Sequence, residues 1–278
     1  MSRANGHRAL KPAPIDALVE IGTQGQLPRI GPGGKKPSEA YARATPMGVL
    51  TSDRPKIAIL LGGMGLNAKL TQQAGKELPG DISFAFAPYG KDLQFQVDKA
   101  RAQGHEVLLQ LPMEPVGYPA KNPGPRTLLA DAGEAENREA LYWHMSRFAG
   151  YVGITNFMGG RFLTVPKSLK PVLAEMKKRG LVFLEDATVP LSSTEAIAKA
   201  TGLPSRRAHI VIDADPDPAS IAAALKQLET EAQTNGIAIG TGAGLEVTID
   251  AISEWAKQLE DKGILLVPVS AVYKGRMS

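Results

Sequence analysis

The chain has 278 residues, a length that accommodates one large α/β domain or two small ones with a substantial core. Its 43% hydrophobic and 22% charged residues are ordinary for a soluble globular chain, and with no cysteine it has no disulfide, zinc–thiolate centre or Cys nucleophile. A net charge of +4 and 5% aromatics, without a recognisable nucleic-acid module, argue against nucleic-acid binding. No apolar run is long enough to span a bilayer, and the N-terminus lacks the apolar core of a signal peptide.

Residues 1–54 read as a flexible basic tail or linker rich in Pro and Gly, with a short apolar patch at 15–21 as the part able to pack on a domain. Much of the positive surplus lies there, in Arg3, Arg8, Lys11, Arg29, Lys35, Lys36, Arg43 and Arg54. From Pro55 to residue 278 the pattern changes to one α/β domain. Short, continuously apolar runs at 56–61, 82–87, 106–111, 153–155, 181–184, 209–212, 237–239 and 264–269 read as parallel strands buried on both faces.

Helices are expected at 67–77, 91–103, 134–149, 166–178, 194–201, 218–234 and 246–261. Pro166 and Pro218 sit near first-turn positions, and Gly104, Gly180, Gly236 and Gly263 stand where helices end. Seven or eight β-α units define a parallel α/β fold, either a closed barrel or an open sheet. In such folds ligands bind beyond the carboxyl ends of the strands.

Four strand ends collect chemistry. Leu61-Gly62-Gly63-Met64-Gly65 is a glycine turn of the kind that cradles phosphate on backbone N–H groups. It matches neither GxGxxG nor a Walker motif, and reads equally as a tight turn without a ligand. Gln110 to Glu114 ends a strand in a carboxylate clamped between Pro112 and Pro115, on a stiff non-helical turn. Glu114 is there either a functional acid or a loop cap. After the next strand come Asn156 and Arg161, able to meet a sugar hydroxyl or an anion, although Arg161 also reads as a surface charge.

The fourth group is acidic: Glu185 and Asp186, then Asp213, Asp215 and Asp217. Such acids hold a hard cation or serve as acid and base, while Asp215 and Asp217 also read as caps of the following helix. Histidine offers little. His105 and His209 begin strands, His144 lies within a helix, and no metal-ligand spacing or GxSxG elbow occurs.

Six collinear strings, "IAILLGGMG", "GHEVLLQLPMEP", "GITNFMGGRF", "LVFLEDAT", "VIDADPDPASI" and "GILLVPVSAV", resemble the divergent polysaccharide deacetylase family over residues 55–273. The resemblance implies a deformed (β/α) barrel of seven to eight parallel strands. It also implies a hydrolase of amide bonds in acetylated amino sugars, a place in carbohydrate metabolism, and a divalent cation held by an Asp and two His. This chain departs at the ligand positions. Gly62-Gly63 stand for Asp-Asp, Gln110 for the His of the Leu-Pro-Met-Glu-Pro string, Phe157 for the His of Asn-His-Met-Gly, and Thr241 for the His of Gly-His-Pro. Glycine and phenylalanine offer no ligand atom, so no metal or other cofactor is expected.

Three readings follow. In the first, Glu114, Glu185 and Asp213 retain a metal-independent hydrolytic activity, with Gln110, Asn156, Arg161, Gly62 and Gly63 binding an acetylated cell-envelope glycan. In the second, the barrel is an inactive carbohydrate-binding or envelope scaffold protein. In the third, the Gly62–Gly65 turn binds a phosphorylated small molecule. The resemblance places the protein in the periplasm, reaching a membrane only through an anchor that these residues do not contain.

Overall fold

The computed structural model describes residues 8–274. A hairpin, β1 (Val19–Gly22) and β2 (Gly25–Pro28), comes first. Two single-turn helices follow, α1 (Pro37–Ala40) and α2 (Met47–Leu50). The repeating part then runs β3 (Lys56–Met64), α3 (Ala68–Glu77), β4 (Ser83–Phe86), α4 (Leu93–Ala102), β5 (Val107–Met113) and α5 (Glu134–Met145). It continues with β6 (Gly153–Met158), α6 (Pro166–Lys178), β7 (Val182–Glu185), α7 (Thr194–Thr201), β8 (Ser205–Arg207) and β9 (Ile210–Val211). The last elements are α8 (Pro218–Asn235), β10 (Ile237–Ala243), α9 (Glu246–Ala256) and the short β11 (Leu265–Leu266).

Every pairing in the main sheet is parallel, and the order is β8-β7-β6-β5-β4-β3-β10-β9, with β11 added beside β3. The two ends of that ladder belong to one stretch of chain. β8 pairs with β7, and two residues later β9 pairs with β10. Between them Ala208 N–H donates to Glu185 O at 2.8 Å and His209 N–H to Ile239 O at 2.8 Å. The sheet therefore curls on itself, and the segment 205–211 bridges its edges as a split strand. This is the deformed (β/α) barrel the sequence implied.

Strand alternation sorts the core into two layers. Ile57, Ile59, Leu61, Leu109 and Phe183 pack in one cluster with helix residues such as Val97, Leu141, Leu173 and Ile249. Ala58, Leu60, Ala85, Leu108, Leu184 and Ile239 form the other, which fills the barrel itself. Because both faces of each strand are apolar, the sequence shows runs and no alternation.

The flexible tail expected at 1–54 needs correcting over residues 8–54; residues 1–7 lie outside the described part. Leu18 is fully buried and Tyr41 is 2% exposed. Both join the barrel-filling cluster together with Val267, Val269 and Val272, closing the bottom of the barrel. Arg101, 1% exposed, donates to the carbonyls of Lys11, Tyr41 and Gly150. Arg179 reaches Pro28 O at 2.8 Å. The segment has few apolar residues; Leu18, Leu27 and Tyr41 are buried, while Ile21 and Met47 stay exposed. Its backbone is held by arginines that the rest of the domain supplies.

Candidate functional site

Extending the barrel-facing positions two residues at a time past the apolar core identifies what the strand ends present. Leu60 leads to Gly62, Leu108 to Gln110 and Pro112, Leu184 to Asp186, Val211 to Asp213, and Ile239 to Thr241. On β6, where Ile154 faces the helices, the barrel-facing positions are Thr155 and Phe157. All of these residues line one cavity of about 260 Å³ at the carboxyl ends of the strands. Leu66, Tyr89 and Pro123 add apolar wall from the loops, and Asn156 and Thr188 lie on its rim.

Five of the eight expected site residues are brought together there: Gly62, Gly63, Gln110, Asn156 and Asp213. Gln110 Oε1 accepts the Gly63 N–H at 2.8 Å. A β-carbon on Gly62 would lie 2.6 Å from Gln110 Nε2, so the two residues share one volume. Asn156 is held on both sides, donating to Met158 O at 2.8 Å and accepting the Asp186 N–H at 2.9 Å. Asp213 Oδ2 accepts from Ala243 N–H at 2.7 Å and from the Thr248 hydroxyl at 2.9 Å, leaving Oδ1 without a donor among the described residues.

The other three do not line the cavity, which corrects their assignment to it. Glu114 is 4% exposed. Its Oε1 pairs with Arg161 Nη1 at 2.5 Å and its Oε2 accepts the Ala130 N–H at 2.6 Å. Arg161 also reaches Asp131 Oδ2 at 2.6 Å. The bonds to Asp131 and Glu114 hold its guanidinium above the usual arginine range. Glu114 and Arg161 thus clasp two loops together. Glu185 stands on the helix-facing side of β7, 1% exposed, bonded to Ser192 Oγ at 2.6 Å. It faces Arg207 Nη1 at 3.8 Å. Alternation turns its neighbour Asp186 into the cavity instead.

Thr155 and Tyr89 line the cavity without having been named from the sequence, while Asp186 and Phe157 had been named there without a site role. Asp186 accepts from Thr188 N–H at 2.9 Å and from its hydroxyl at 2.6 Å, while burial pushes its carboxyl above the usual range. The signal for choosing Asp186 over Glu185 was strand phase, and a strand apolar on both faces does not display its phase. Asp217 caps α8, accepting from Ala219 and Ser220 N–H groups at 2.9 and 3.2 Å, which leaves it outside the site.

The residues present do not fit the divalent cation that the barrel family implies. Gly62 and Gly63 have no donor, Phe157 cannot coordinate, and the Gln110 oxygen is spent on a backbone amide. Among the described residues no group of three or more His, Cys, Asp or Glu is arranged to hold a metal. The glycine turn is equally committed. Gly63 N–H donates to Gln110 and Gly65 N–H to Thr71 Oγ1 at 2.9 Å, so those amides are not offered to a phosphate.

Fold and cavity together define a polysaccharide-deacetylase-like barrel whose metal ligands have been replaced. Residues 59–273 match the family model described as divergent polysaccharide deacetylase, and the chain belongs to that family. A solved structure of an uncharacterized Agrobacterium tumefaciens protein is 40% identical, with a TM-score of 0.86, and covers 89% of this chain and 99% of that one. An uncharacterized Haemophilus influenzae protein is 26% identical over 206 residues, 74% of this chain and 72% of its own. The uncharacterized protein YibQ of Escherichia coli is 25% identical over 218 residues, 78% of this chain and 67% of its own.

Proposed function

We propose that the protein binds an acetylated amino-sugar glycan of the cell envelope at the strand carboxyl ends, without the family's cation, as a binding protein of carbohydrate metabolism rather than a working hydrolase. The observation that carries this reading is a cavity kept open while its ligand positions are filled by Gly62, Gln110 and Phe157. Gln110 and Gly62 are fitted to each other, and an Asp at position 62 would collide with the glutamine amide. The wall chemistry suits a sugar. Tyr89 and Phe157 offer apolar faces, while Asn156, Asp186 and Asp213 offer fixed polar groups. At about 260 Å³ the cavity stands near the lower end of ligand pockets, a size for one ring of a chain. The family and the proposed ligand support a periplasmic site of action. No helix among the described residues is long and apolar enough to cross a membrane.

Calorimetric titration with N-acetylated amino-sugar oligomers tests the reading. Binding is expected, weakened roughly tenfold by Phe157→Ala, a loss of about 1.4 kcal/mol. Glu114→Gln is expected to lower thermal stability and leave the affinity alone. Failure of every amino-sugar oligomer to bind, with clear binding of nucleotides or sugar phosphates, would overturn it.

A further inference from the structure

The cavity has a charge that its neutral-sugar chemistry does not require. Asp186 and Asp213 both line it, and among the described residues no Lys, Arg or His does. The guanidinium of Arg207, at the end of β8, is directed to Glu185 instead. The backbone of Asp186 and the carboxylate of Asp213 both meet the end of β10. Thr241 Oγ1 donates to Asp186 O at 2.8 Å, Ala243 N–H donates to Asp213 Oδ2 at 2.7 Å, and a β-carbon on Gly242 would lie 3.4 Å from both Asp213 oxygens.

A second observation points independently to a ligand. Thr155, 2% exposed, lines the same cavity, and its Oγ1 has no hydrogen-bond partner among the described residues. A buried hydroxyl left unpaired costs about 1–3 kcal/mol. It stands beside Gln110 on the neighbouring strand, the two being Cα partners in the β5–β6 ladder.

Resting on the glycan-binding reading, we propose that the sugar unit seated in this cleft carries a free primary amine, held as an ammonium by Asp186 and Asp213, so that the protein selects deacetylated over N-acetylated units. An ammonium supplies the countercharge that two partly desolvated carboxylates lack. Tyr89 and Phe157 line the same cavity, and aromatic rings attract cations. An acetamide brings no charge and adds a methyl group among the carboxylates. A phosphate would be repelled by the same pair, which disfavours the phosphorylated ligand a second time.

The test compares a glucosamine oligomer, the N-acetylated oligomer of equal length and 1,4-diaminobutane, each titrated into the full chain at steps from about pH 5 to 7, because burial holds Asp186 above the ordinary carboxylate range. The glucosamine oligomer is expected to bind at least roughly tenfold tighter than the acetylated one, an advantage that shrinks with added salt. Asp213→Asn and Asp186→Asn are each expected to erase the advantage while leaving the far-ultraviolet spectrum as it was. Equal affinities, a preference for the acetylated oligomer, or a preference that survives both substitutions would overturn the inference and leave the glycan reading standing. Binding of the diamine with neither oligomer bound would overturn the glycan reading and leave the ammonium site standing. Failure of all three probes would remove both.

Discussion

Gly62 and Gln110 hold each other in place: the glutamine amide fills the space a β-carbon at 62 would take, and its oxygen pairs the Gly63 N–H. Gly62→Ala is therefore expected to displace the Gln110 side chain and cost about 1 kcal/mol, the worth of the lost hydrogen bond. Gln110→Ala loses the same bond. The double variant should cost clearly less than the sum of the two, a coupling that a double-mutant cycle by urea denaturation measures. At this scale the sequence displayed much of the site. Gly62, Gln110, Asn156 and Asp213 all reach the cavity, as their places after apolar runs implied. Glu114 was legible as a residue on a rigid turn but not as a clasp, because its partners Ala130 and Arg161 are 16 and 47 residues away. Sequence proximity carries no record of such pairings.

Among the elements, α5 carries a titratable group with a consequence for pH. His144 is buried, its Nε2 lies 2.8 Å from Arg126 O, and its Nδ1 has no partner among the described residues, so the neutral ring with hydrogen on Nε2 is the form that fits. Burial foremost, with Arg126 and Arg147 adding repulsion, pushes its pKa down from 6.5 to about 4. Above pH 6.5 neither the folded nor the unfolded chain protonates this group, and its contribution to stability is constant. Between 6.5 and about 4 the unfolded chain takes up a proton that the folded one refuses, so stability falls with pH, by about 3 kcal/mol in all. Urea denaturation at steps through this range should show that loss, and His144→Gln should remove this part of the slope.

The elements were mostly legible. Helices 166–178 and 194–201 have the expected bounds. Strands β3, β5, β6 and β10 run several residues past the expected apolar ends. Their last inward positions line the cavity, where Gly62, Gln110, Phe157 and Thr241 replace core residues. The bridging strand β8 went unrecognised because Ser205–Arg207, set at the seam of the barrel, is not apolar.

For the molecule as a whole, the N-terminal segment decides stability more than its composition indicates. Arg101→Ala would leave the carbonyls of Lys11, Tyr41 and Gly150 without their donor and detach residues 8–54 from the base of the barrel. Carbonyls left buried without a donor cost about 1–3 kcal/mol each, which for a chain of this size lowers the melting temperature by roughly 10 °C. A chain beginning at residue 55 should fare worse, since Leu18 and Tyr41 belong to the core that fills the barrel. Thermal unfolding followed by circular dichroism checks both.

The central claim, a sugar cleft that works without a metal ion, is met most directly by titrating zinc into chelator-treated protein and repeating the amino-sugar oligomer titration with zinc and with chelator. The account predicts no zinc binding at micromolar concentration and one oligomer affinity under both conditions. Micromolar zinc binding, abolished by Asp186→Ala or Asp213→Ala, would contradict it.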